Sequence, residues 1–106
     1  MNMLEKLRTE QDAIDKEIVA AIAKRLEVRK KISAFRLENN LSTIDADRVK
    51  VVLNQAETLA QQVDVPPEMA QSVFELLIDW SHRLDQQWRK EKNDPCWRQR
   101  TKRHRR

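Results

Sequence analysis

Residues Leu4–Leu37 read LEKLRTEQDAIDKEIVAAIAKRLEVRKKISAFRL, with no helix breaker among them. Leu4, Leu7, Ile14, Ile18, Ile22, Ile32 and Phe35 recur at spacings that fit a 3.6-residue period. The stretch predicts one helix of about 35 residues, roughly 50 Å long at about 1.5 Å per residue. That is longer than a chain of 106 residues is wide as a globule. Part of the apolar stripe must be covered by something outside its own subunit. A dimer of long helices is the economical answer.

Working outward, Asn39-Asn40 marks the end of this helix, because asparagine tolerates the left-handed cap conformation. Ser42, Thr43 and Asp45 are candidate N-caps for a second helix that runs to about Gln62. Val49, Val52, Leu53, Ala56, Leu59 and Ala60 are expected to face inward from it. Val63-Asp64-Val65-Pro66-Pro67 reads as a turn, with Pro67 suited to the first turn of a third helix. Met69, Val73, Phe74, Leu77, Ile78, Ser81, Leu84, Asp85 and Trp88 lie on that third helix, which is expected to fray past Arg89. The expectation is an all-α fold of three helices per subunit, one very long and two shorter, in an intertwined homodimer.

Composition supports this class. The chain has no glycine and only three prolines, which argues against hairpins and removes every Gly-rich phosphate loop. Its single cysteine, Cys96, forms no intrachain disulfide, and no apolar run approaches the roughly 20 residues of a membrane span. Met1-Asn2-Met3-Leu4-Glu5-Lys6 lacks the apolar core of a signal peptide, so a cytoplasmic location is expected. The net charge of +4 divides unevenly. Residues 89–106 carry nine Lys/Arg against two acids, whereas residues 1–88 carry twelve against fifteen. The expected division is therefore a helical domain over 1–92 and a basic, disordered tail over 93–106. His82, His104 and Cys96 lie in no ligand spacing, so no metal site is expected.

Polar residues interrupt the apolar faces in three places. Arg25 continues the stripe of Ile14, Ile18 and Ile22, and Arg36 follows eleven residues later, about 20° away around the helix. Arg29 lies between them. A buried arginine needs an anion. It could be a bidentately held ligand carboxylate, an acid on a neighbouring helix, or avoided altogether by reaching into water. Ser81 and Asp85 share the apolar face of the third helix. An acid there is paired with a cation or protonated. At Asp45-Ala46-Asp47-Arg48 the acids suit a helix start, but Arg48 opposes the dipole.

Leu7-Arg8, Ile14-Asp15, Ile18, Ile22, Lys24-Arg25 and Ile32 resemble the first helix of the all-helical (AroQ-type) chorismate mutases. Asp45 and Arg48 resemble that family's entry to its second helix, and Phe74, Leu77, Ile78, Ser81 and position 85 its third. The resemblance covers residues 4–88. It implies a 3,3-sigmatropic rearrangement of chorismate to prephenate, with no cofactor. By position, Arg8 would enter the partner subunit's site and hold one substrate carboxylate, and Arg25 would hold the other beside Arg48 and Ser81. Arg36 would take the place of a lysine that donates to the breaking ether bond. Asp45 would lie near the ring hydroxyl. Two positions depart from the family. Val49 stands where many members have a glutamate that grips the ring hydroxyl, and Asp85 where many have a glutamine that donates to the ether oxygen. The catalytic set implied is Arg25, Arg36 and Asp85, and the binding set Arg8, Arg25, Asp45, Arg48, Val49 and Ser81. The departures keep two relatives in view. One is a 4-amino-4-deoxychorismate mutase, with Asp85 on the ammonium. The other is an isochorismate-pyruvate lyase, which Arg48-Val49, Trp80 and Trp88-Arg89 resemble. Other classes are a basic-tailed nucleic-acid-binding module, disfavoured by the acidic helical part, and a plain helical dimerisation module.

Overall fold

The first helix, α1, spans Met3–Glu38 without interruption, as its unbroken pattern requires. The second, α2, spans Ala46–Gln62, and the third, α3, spans Pro67–Lys92. The computed structural model describes residues 2–42 and 45–92, the side chain of Lys92 excepted. The candidate cap Thr43 and the basic tail 93–106 lie outside the described residues.

Both ends of α1 and of α2 are satisfied locally. The Asn2 side chain accepts from the Glu5 backbone N–H at 2.9 Å and caps α1. At the other end Asn40 takes a left-handed φ of 58°. The Leu41 N–H then reaches back to the Arg36 carbonyl at 2.8 Å, and the Asn40 N–H to the Leu37 carbonyl at 3.3 Å. This is the paired helix-ending motif that glycine usually closes, built here with asparagine. Asp64, also at φ 58°, does the same for α2, with the Val65 N–H on the Ala60 carbonyl at 2.9 Å. Of the candidate caps for α2, Asp45 is the one used, accepting from the Arg48 N–H at 3.1 Å.

The four residues 63–66 fold α3 back along α2. Ala56 and Ala60, one turn apart, are the buried apolar residues among those described. Their small size lets the two helices approach closely. Gln71 donates to Glu57 across the same contact at 3.2 Å. α3 also packs against the C-terminal half of α1. There the Arg25 guanidinium lies 6.0 Å from the Phe74 ring and the Lys30 ammonium 5.9 Å from the Trp88 ring.

The chain is a thin slab, 56 × 36 × 16 Å. It is one helix layer thick, whereas a folded domain ordinarily packs two layers about a core. Residues 2–21 are exposed throughout, Leu4, Leu7, Ile14 and Ile18 among them. Leu59 was expected inside and is 58% exposed. It lies on the flank of the Ala56–Ala60 face, beyond the reach of α3. Met69 and Val73 on α3 are exposed as well.

Candidate functional site

Where α1, the start of α2 and the middle of α3 meet, they enclose a cavity of about 210 Å³. α1 contributes Arg25, Arg29 and Arg36, with Val28 and Ile32 between them. α2 contributes Asp45, Arg48, Val49 and Val52. α3 contributes Ile78, Ser81 and His82. The spacing of four between Arg25 and Arg29 places both on one face of α1. The start of α2 lies across the cavity from them.

Hydrogen bonds fix several of these groups. Arg25 Nη1 donates to Ser81 Oγ at 3.1 Å, and Ser81 Oγ donates to the Leu77 carbonyl at 2.7 Å. The buried serine thus orients the guanidinium from α3. Arg36 Nη1 donates to the Ser42 carbonyl at 2.6 Å, and its Nη2 lies 3.5 Å from Asp45 Oδ2. Arg29 Nε is buried and has no hydrogen-bond partner among the described residues.

The cavity is electropositive: four guanidiniums face one carboxylate. Burial, reinforced by the nearby guanidiniums of Arg29 and Arg48, pulls the Arg25 pKa below its ordinary value. The Arg48 backbone N–H, helped by Arg36, holds the Asp45 carboxyl below the usual carboxylate range against an opposing effect of desolvation. Such a cluster has a deficit of negative charge that a polyanionic ligand would fill. The first turn of α2 lines the same cavity, and a helix N-terminus favours anions.

Six of the site residues expected from sequence therefore meet at one cavity: Arg25, Arg36, Asp45, Arg48, Val49 and Ser81. Two do not. Arg8 is exposed on the uncovered half of α1, seventeen residues before Arg25 and so about 25 Å away along the helix. Asp85 is 1% exposed and is not part of the cavity wall. Its Oδ2 lies 3.5 Å from Arg89 Nε, one turn on, close enough for an ion pair but not aligned as a hydrogen bond. Arg89 Nη2 in turn donates to the Leu41 carbonyl at 3.1 Å. Arg89 and Arg36 thus grip consecutive carbonyls of the loop that leads into α2. Arg29, between Arg25 and Arg36 in sequence, is outside the expected site set, and His82 is no candidate there; both line the wall. The i, i+4 relation to Arg25 was a usable signal for the first. His82 gave none beyond its adjacency to Ser81.

The family model for type II chorismate mutase matches residues 7–86. The chain belongs to the type II chorismate mutase family. The cavity lies wholly within the matched span. The chain is also 32% identical over 80 residues to a bifunctional chorismate mutase/prephenate dehydratase of Buchnera aphidicola subsp. Acyrthosiphon pisum (strain APS). That alignment takes in 76% of this chain and 21% of the relative, so the chain spans about a fifth of the relative's length. Among the described residues of this family member, no cluster of His, Cys, Asp and Glu could hold a metal ion. No described helix is long and apolar enough to cross a membrane.

Proposed function

We propose that this protein is a chorismate mutase, rearranging chorismate to prephenate within a homodimer. The observation that carries the proposal is the cavity of Arg25, Arg29, Arg36 and Arg48 around a single carboxylate, in a chain of this family. Chorismate has two carboxylates, and its ether oxygen gains electron density as the C–O bond breaks. A site with several fixed cations suits both features. The reaction needs neither nucleophile nor proton relay. It needs the substrate held in its chair-like conformer and positive charge placed beside the ether oxygen.

In this reading Arg25, steadied by Ser81, holds one carboxylate together with Arg48. Arg36 donates toward the ether oxygen while the Ser42 carbonyl and Asp45 hold its position. Asp45 sets the start of α2 and, with Val49, borders the ring. Arg8 cannot reach its own cavity and serves the partner's, holding the second carboxylate. The uncovered apolar stripe of α1 and the one-layer thickness of the protomer support pairing through α1. Asp85 acts indirectly, by holding Arg89 and through it the α1–α2 loop. We place chorismate ahead of the 4-amino analogue because Asp85, which would have gripped the ammonium, faces Arg89 instead.

The test is direct. The purified chain should consume chorismate, seen as loss of its ultraviolet absorbance, and form prephenate. Turnover of isochorismate to salicylate and pyruvate, or of the amino analogue, without turnover of chorismate would refute the proposal.

A further inference from the structure

The cavity wall has few groups for any part of a ligand that is not an anion. Its guanidiniums suit carboxylates, and Val28, Ile32, Val49, Val52 and Ile78 are apolar. Three polar side chains remain. Asp45 already accepts from the Arg48 N–H and from Arg36, and as a carboxylate it offers a ligand no donor. Ser81 accepts from Arg25 and donates its one proton to the Leu77 carbonyl. His82, half-buried, makes no hydrogen bond or ion pair among the described residues. Asp85 faces Arg89, off the wall.

We propose that His82 is a specificity-determining residue of this cavity, the group that recognises the ligand's uncharged hydroxyl. A neutral imidazole has one donor and one acceptor nitrogen, which complements a hydroxyl in either sense. An ammonium can only donate, and in the same place it would face Arg25, Arg29, Arg36 and Arg48 with Asp45 alone to offset them, so it is not drawn to seat against the imidazole. The wall therefore favours a hydroxyl over an amine. This inference rests on the chorismate reading, and it assigns the ring-hydroxyl contact to α3, where Val49 on α2 offers no polar group.

The experiment compares the wild-type chain with His82→Val and His82→Asn. KM and kcat/KM on chorismate are measured beside calorimetric binding of 4-amino-4-deoxychorismate, chorismate itself being titrated by calorimetry only if it is not turned over, with helicity checked by circular dichroism. Loss of one hydrogen bond predicts a fall of about tenfold in chorismate affinity and kcat/KM for His82→Val. Affinity for the amine should hold, so the hydroxyl-to-amine preference falls about tenfold. His82→Asn, which keeps a donor and an acceptor, should recover much of it and carries the test if the valine variant misfolds. An unchanged preference, or an equal loss on both ligands, overturns the inference. If the wild-type chain binds chorismate without turning it over, the mutase reading fails while the binding preference still tests His82. If it binds neither ligand, both fall.

Discussion

Replacing Arg89 with leucine should destabilise the fold severely, although the residue lies outside the cavity wall. Asp85 is 1% exposed, and neither of its carboxylate oxygens has a hydrogen bond among the described residues. Arg89 Nε, at 3.5 Å, is the cation paired with it. Removing the cation leaves a buried, uncompensated carboxylate, a change that costs about 3–5 kcal/mol. The hydrogen bond to the Leu41 carbonyl is lost as well, about 1 kcal/mol more at most because Leu41 is exposed. The double variant Asp85→Leu/Arg89→Leu removes both charges and should recover most of the loss, since an apolar pair of similar volume is often no worse than a buried ion pair. Urea denaturation followed by circular dichroism, at one fixed protomer concentration, measures both. With a slope of about 1–3 kcal/mol per molar urea, the single variant's midpoint should fall by more than about 1 M. The reasoning is refuted if Arg89→Leu stays within about 1 kcal/mol of wild type, or if the double variant is no more stable than the single.

Other predictions follow from separate features. Arg8→Ala and Arg25→Ala should each abolish turnover of chorismate while keeping helicity. Because each proposed site joins Arg25 of one subunit to Arg8 of the other, mixing the two after denaturation and refolding should restore about a quarter of wild-type activity through heterodimers with one intact site. Recovery of none contradicts the shared site. Asn40→Gly relieves a left-handed residue at φ 58° and should raise stability by about 0.5–1 kcal/mol, read as the urea midpoint. The Asp45 carboxyl titrates below its unfolded value, so its contribution is present above the ordinary carboxylate range and disappears as pH falls through the depressed value. Asp45→Asn should therefore lose stability at neutral pH and show a shallower acid limb than wild type below about pH 4. Parallel acid limbs would contradict that.

Much of this was legible in the sequence because it depended on local rules. An unbroken 3.6-residue period from Leu4 fixes α1, and Asn39-Asn40 supplies its only plausible stop. Arg25 and Arg36 announce themselves as charges on an apolar face, and that face does line the cavity. What was not legible depended on where helices lie relative to one another. Arg29 shares a face with Arg25 by its spacing of four, but that this face meets the start of α2 is not a local matter. His82 follows the buried Ser81 and reads from sequence as an isolated histidine. Asp85 sits on the expected face of α3, yet the nearer cation, one turn on at Arg89, draws its carboxylate away from the cavity. Leu59 fits the inward period of α2 but lies on the flank that α3 leaves open. Asp64, like Asn40, takes a role that glycine would usually fill, and a sequence without glycine gives little notice of it.

The central claim is that the arginine cavity between the three helices binds chorismate and rearranges it. Its most direct test is chorismate consumption by the purified wild-type chain beside Arg25→Ala, with the product identified. The account predicts enzyme-dependent loss of chorismate, prephenate as the product, and a rate for Arg25→Ala at the uncatalysed background with its helicity unchanged. A folded wild-type protein that leaves chorismate untouched, or an Arg25→Ala variant as active as wild type, would contradict it.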